Sequence, residues 1–119
     1  MPETHQSDDG DEFAAHYPTP AQAKSDLHAH EQRLADIEVG GCPVGDPMGR
    51  FGWLSVRKVI LGDMADAAHA LVHAWDEHGD PAAADAVEEL AQHYREQYDR
   101  AARALEAARA EFTADRAER

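Results

Sequence analysis

We predict an all-α protein folded as a three-helix bundle, and three features of the sequence indicate this fold class. Alanine, the residue that most favours helix, is abundant in the chain. Apolar residues recur at helical spacing over long stretches. Glycine and proline cluster at the boundaries between these stretches, where helices are expected to stop and start. A chain of 119 residues is long enough for one domain with one core.

The N-terminal segment differs from the rest of the chain. Residues 1–18 contain five acidic residues and no lysine or arginine. Such a segment buries too little apolar surface to offset the entropy lost on ordering. We therefore expect a disordered acidic leader at 1–18 and a single helical domain at 19–119.

The first helix is predicted at residues 20–39. Thr19 is a suitable N-cap, and Pro20 then occupies the first helical position, where its missing N–H costs nothing. A glycine pair follows the helix and is expected to end it. One narrow apolar stripe runs along its surface, formed by Leu27, Leu34 and Ile37.

The next segment, residues 40–52, reads GGCPVGDPMGRFG. Five glycines and two prolines in thirteen residues disfavour regular structure. We expect an irregular loop over the whole of this segment.

The second and third helices are predicted at residues 53–78 and 81–117. Gly79 should end the second helix, while Asp80 caps the third. So short a turn requires the two helices to run antiparallel as a hairpin.

The third helix would be roughly 55 Å long at 1.5 Å per residue. That length exceeds the expected reach of the second helix and leaves Leu105 and Phe112 in need of cover. The first helix or a second copy of the chain could provide it. We therefore predict a homodimer with two-fold symmetry.

The formal net charge of −13 narrows the range of partners. Nucleic-acid backbones and anionic membrane surfaces are both bound by basic surfaces, so neither is expected here. No lysine or arginine occurs between Lys58 and Arg95, although this stretch holds eight acidic residues. A solvated acidic surface is the simplest interpretation. The alternative is a docking surface for a basic protein, for which we select Asp76, Glu77, Glu88 and Glu89.

A candidate metal site lies on the second helix. Asp66, His69 and His73 share one side, and two histidines at positions i and i+4 can chelate a divalent ion. However, this side is opposite the apolar stripe that contains Trp53, Leu71 and Trp75, so we favour a solvated surface and expect no cofactor. Binding of a divalent metal remains the alternative.

No catalytic apparatus is recognisable. Cys42 is the single cysteine, and no spacing provides it with a base. We expect a non-enzymatic acidic interaction or regulatory protein that self-associates through its helix faces. Two alternatives stand beside it: a histidine/carboxylate metal-binding bundle, and an acidic decoy that binds a basic, DNA-binding protein. With no membrane-length apolar run and no signal-like N-terminus, the expected location is the cytoplasm.

Overall fold

The computed structural model describes residues 18–117, which form three helices: α1 (Pro20–Gly40), α2 (Pro47–Glu77) and α3 (Pro81–Ala117). No strand occurs in this part of the chain. The prediction of an all-α, three-helix fold is therefore confirmed. The predicted disordered leader lies outside the described residues, apart from Pro18. Within the described residues, no helix is both long and apolar enough to cross a membrane.

The start of α1 is the predicted one. The Thr19 side chain accepts a hydrogen bond from the Gln22 N–H at 3.2 Å, and the Gln22 side chain accepts one from the Thr19 N–H at 3.1 Å. This reciprocal capping box satisfies two N–H groups that would otherwise lack a partner. After the helix, Gly41 has a positive φ of 76°, which glycine adopts without strain.

α2 begins six residues earlier than expected, so the prediction of a loop is wrong for residues 47–52. The Asp46 side chain accepts a hydrogen bond from the Gly49 N–H at 3.1 Å, and Pro47 occupies the first turn. This is the same Asp-Pro start that marks α3 at Asp80 and Pro81. A cap and a helix-compatible proline outweigh the cost of two glycines in the first turns.

α2 lies between the other two helices and packs against both. No Cα atom of α1 comes within 8 Å of a Cα atom of α3. The core therefore runs along α2, with Leu61 and Ala68 fully buried and Ile60 and Met64 nearly so. The radius of gyration is 19.7 Å, against about 14 Å for a compact domain of this length.

The far end of α3 is covered from within the chain. Leu105 is buried, and the Phe112 ring stacks on Phe51 with 6.4 Å between ring centroids. Beside them, Arg50 donates a hydrogen bond to Glu111 at 3.1 Å. The cover that we expected from α1 or a second subunit thus comes from the early turns of α2.

Candidate functional site

A groove opens between α1 and α3 near the turn that joins α2 to α3. Its volume is about 730 Å³ and its lining is mostly apolar. Leu71 and Trp75 of α2 form the floor. The walls are Leu27 on α1 and Val87 with Leu90 on α3. Leu27 and Leu71 are buried, whereas Trp75, Val87 and Leu90 are half-buried and provide the accessible apolar surface of the groove, because α1 and α3 both rest on α2 without meeting through their backbones.

A hydrogen bond between α1 and α3 bounds this groove. The buried Tyr94 hydroxyl donates to the carboxylate of Glu31, which itself lines the groove. Burial first, then the hydrogen bond and negative charge of Glu31, raise the pKa of Tyr94 well above its usual value. The phenol therefore remains a neutral donor and joins the two outer helices.

The four acidic residues selected from the sequence are all exposed. Asp76 and Glu77 directly follow Trp75 at the end of α2, and Glu88 and Glu89 lie between Val87 and Leu90 on α3. All four are therefore adjacent in sequence to groove residues, although none of them lines the groove itself. Glu88 also lines a separate depression together with His69. On α1, Lys24 and His28 contribute to the opposite wall of the groove.

The candidate metal ligands are exposed, as the helical spacing predicted. The Nε2 atoms of His69 and His73 are 3.1 Å apart, with the two rings nearly perpendicular. Asp66 does not join them. Across residues 18–117, no three histidine, cysteine, aspartate or glutamate side chains converge as a ready-made metal site. The structure thus brings two of the three selected ligands together.

A second apolar surface lies at the other end of α2. Met48, Val56 and Val59 are 66%, 48% and 57% exposed, and their spacing places them on the face of α2 that neither neighbour covers. Val39 and Val44, at the end of α1 and in the segment after it, are also exposed. Every large hydrophobic residue that is exposed within the described chain therefore falls between residues 39 and 59.

Sequence reasoning did not find either apolar surface. It placed Leu71 and Trp75 on an apolar stripe, and Leu71 is indeed buried while Trp75 is only half-buried. A stripe at helical spacing is the same whether a neighbouring helix covers all of it or part of it. Met48 was missed because it fell in the predicted loop. The sequence offers one signal. Large apolar residues are few in this chain, so any that remain exposed are conspicuous, and exposed apolar surface is a sign of a binding site.

Comparison with known proteins yields no relative: no family model, curated protein or solved structure matches this chain. The groove, the acidic residues beside it and the histidine pair are therefore interpreted from their own contacts and chemistry.

Proposed function

We propose that this protein is a non-enzymatic interaction protein that binds a cationic, amphipathic helix of a partner in the groove between α1 and α3. The observation that supports it is the apolar groove on Leu71 and Trp75, at the acidic end of the molecule. A helix laid in such a groove buries its apolar face, and its polar face remains in water. The resulting four-helix arrangement is a common way to complete a helical core.

The acidic residues at this end of the molecule favour a basic partner. Residues 59–94 contain no lysine or arginine, while Asp76, Glu77, Glu88 and Glu89 are exposed and adjacent in sequence to groove residues. Opposite charge on a partner raises the rate of encounter and disfavours acidic competitors. Lys24 on the α1 wall is the local exception. The partner's basic residues should therefore lie toward α3 and the end of α2.

The test uses a synthetic helix of about 18 residues, roughly five turns, with leucines on one face and lysines on the other. Calorimetric titration into the full chain should show binding that weakens with added salt. Two control peptides keep the length: one has the same composition in a scrambled, non-amphipathic order, and one has glutamate in place of lysine. Neither should bind. Equal binding of the scrambled peptide contradicts the proposal.

Variants locate the binding surface. Trp75→Ala should weaken binding at least about tenfold, because a tryptophan in an apolar pocket is a typical energetic hot spot. Leu90→Ala should act in the same direction. Val44→Ala, an exposed valine in the segment before α2, is the matched control and should leave binding unchanged. Circular dichroism of each variant verifies that the helices are intact.

The acidic-decoy alternative makes a different prediction for the same experiment. A decoy uses charge alone, so neutralising Asp76, Glu77, Glu88 and Glu89 as amides would abolish binding whereas Trp75→Ala would not affect it. The groove model expects both sets of variants to weaken binding. The effect of Trp75→Ala therefore separates the two functions.

We further propose self-association through the exposed face of α2 that carries Met48, Val56 and Val59. Apolar side chains on an uncovered helix face favour packing against a second helix. Residues 47–62 contain three cations and no acid, and Arg50 and Arg57 are paired with Glu111 and Glu38 of the same chain. This half of α2 therefore brings less uncompensated charge to a contact between two copies than the acidic half does.

Sedimentation velocity over a range of concentrations tests this second surface. We expect a concentration-dependent dimer that dissociates when Val56 and Val59 are both replaced by aspartate. Ala107→Asp, on the exposed side of α3, is the control, matched in the type of substitution. The proposal of self-association is contradicted if the chain is monomeric at all concentrations, or if the dimer persists when Val56 and Val59 are both replaced.

A further inference from the structure

We propose that His69 and His73 form a bidentate site for a divalent late transition metal such as Ni²⁺, Cu²⁺ or Zn²⁺. Of the six histidines in residues 18–117, these are the two that are four residues apart. One helical turn brings side chains at this spacing onto the same face. Imidazole nitrogen is a ligand that all three metals accept.

The distance between the two nitrogens fits a chelate. Metal–nitrogen bonds of about 2.0–2.1 Å place two ligand atoms about 2.9 Å apart at a right angle and about 3.3 Å apart at the tetrahedral angle. The observed Nε2–Nε2 separation is 3.1 Å. In the free protein, one ring can donate a hydrogen bond to the other at this distance. A metal ion that replaces that shared proton lies to one side of the line between the two nitrogens, so each ring turns to direct its lone pair at the ion while the nitrogen separation stays close to the observed one.

The backbone beneath the pair is held in place. Both histidines lie well inside α2, and Ala68, Leu71 and Val72 between and beside them are buried against the rest of the bundle. Binding therefore needs to order side-chain torsions and not the helix itself. Preorganisation of this kind reduces the entropy that a ligand set loses on binding.

The surroundings favour a cation. Glu88 of α3 shares a surface depression with His69, and the stretch from residue 59 to residue 94 contains no lysine or arginine. Arg95 lines the same depression and partly offsets Glu88. Both imidazoles are exposed, so water can complete the coordination of a bound ion.

A second pair on α3 provides an internal comparison. His93 and Gln97 have the same i, i+4 spacing and a similar Nε2–Nε2 distance of 3.0 Å. The amide nitrogen of Gln97 has no lone pair to offer a metal, and its carbonyl oxygen is a poorer ligand than imidazole for Ni²⁺, Cu²⁺ or Zn²⁺. This pair therefore has the spacing without a second imidazole, and His93 is a matched control.

The experiment is calorimetric titration of Ni²⁺ into the full chain, produced without a histidine tag. We expect one ion per chain, with affinity reduced at least about tenfold in H69Q and in H73Q, because each leaves a single imidazole in place of a chelate. H93Q should bind as the parent does. All three substituted positions are exposed, so folding should be retained.

The double variant A70H/H73Q tests spacing directly. It keeps the number of histidines but places the second imidazole next to His69 in sequence, about 100° around the helix. Affinity should stay as low as in H73Q. The proposal is overturned if A70H/H73Q binds like the parent, or if H93Q weakens binding as much as H73Q.

A thermal melt gives an independent measurement. An ion that binds the folded chain raises the melting temperature. Ni²⁺ should raise that of the parent and of H93Q, and should raise those of H69Q and H73Q much less. An equal shift in all four proteins means binding elsewhere and contradicts the proposal.

Discussion

The two ends of α2 differ in the sign of their charge and in the exposure of their apolar side chains. At the hairpin end, residues 63–77 carry four acidic residues and no lysine or arginine, whereas residues 47–62, at the open end, carry three cations and no acid. Large apolar side chains at the hairpin end line the groove, with the acidic residues outside. At the open end, Met48, Val56 and Val59 are themselves exposed.

The cations at the open end are engaged within the chain. Arg57 donates to Glu38 of α1 at 3.2 Å, and the Lys58 amine lies 5.7 Å from the centre of the Tyr98 ring. At the hairpin end, Asp63 pairs with Arg33 of α1 at 3.5 Å, whereas Asp66, Asp76 and Glu77 are exposed and have no lysine or arginine near them in sequence. The comparison indicates that the open end uses its charges to hold its own helices together, while the hairpin end leaves three of its four acidic residues available for a partner.

The largest expected effect tests whether the two ends form one cooperative unit. Leu61 is fully buried near the junction between them. Leu61→Ala should lower the free energy of unfolding by about 3 kcal/mol, because it removes buried methyl groups and leaves a cavity. Urea unfolding followed by circular dichroism measures it. Val59→Ala, two residues away and exposed, should change stability by less than about 0.5 kcal/mol.

If Leu61→Ala instead gives two separate transitions, the ends unfold independently. Similar losses from Leu61→Ala and Val59→Ala would also contradict the burial on which the comparison rests.

The next effect concerns the link between α1 and α3. Tyr94→Phe removes the hydroxyl that donates to Glu31 and should cost about 1.5 kcal/mol, since the hydrogen bond is made to a carboxylate. Tyr98→Phe, on the same helix but half-exposed, is the control and should cost less. Chemical denaturation of both proteins makes the comparison. Indistinguishable losses would mean that the hydrogen bond does not hold α1 in place.

The same hydroxyl predicts a response to alkaline pH. The pKa of Tyr94 is raised in the folded protein by burial and by Glu31, so the folded chain holds this proton more tightly than the unfolded chain does. Its contribution to stability is present below the ordinary tyrosine pKa of about 10 and declines as the pH rises above that value. In thermal melts above about pH 10, the melting temperature should fall as the pH rises, and Tyr94→Phe should make this fall smaller. If Tyr94→Phe leaves the dependence of melting temperature on pH unchanged, the prediction is contradicted.

A smaller effect addresses the unexpected first turns of α2. Asp46→Ala removes the side chain that caps Gly49 and should cost about 1 kcal/mol. Amide hydrogen exchange over residues 47–52 should accelerate more than exchange at the hairpin end. Thr19→Ala, at the start of α1, is the matched cap substitution and should leave exchange in 47–52 unaffected. If amide exchange instead accelerates equally along the whole of α2, residues 47–52 open together with the rest of the helix, and the prediction is contradicted.

The smallest effect is expected for the exposed ion pair at the open end. Arg50→Gln breaks the contact with Glu111, in which both side chains are about half-exposed or more. The cost should be less than about 0.5 kcal/mol, as is usual for exposed pairs. It should vanish at roughly 1 M salt, where the screening length is about 3 Å. A loss above 1 kcal/mol, measured by urea unfolding, would give this pair a structural role that its exposure does not suggest.

The fold was predictable because its signals are local. Alanine content, apolar spacing and the Thr-Pro and Asp-Pro starts predict three helices, and α3 begins at the predicted residue, Pro81. The Gly/Pro segment was misjudged at Pro47 for a reason that is also local. Glycine and proline content predicts a loop there, whereas the Asp-Pro pair, which also begins α3 at Asp80, favours a helix start.

The candidate sites could be predicted from the sequence only in part. Helical spacing alone was sufficient to place His69 and His73 on one exposed face, because residues four apart on a helix must share a side. Whether Asp66 joined them depended on side-chain torsions and on neighbouring helices. The amino-acid sequence by itself therefore determined the helices, their apolar stripes and the uneven distribution of charge.

Tertiary structure alone decided which parts of those stripes are covered. α1 and α3 both pack on α2 without meeting through their backbones, and this leaves the groove over Leu71 and Trp75. It also leaves Val56 and Val59 uncovered on the outer face of α2. Burial is a relation between helices that are distant in sequence, and the pattern within one helix does not contain it.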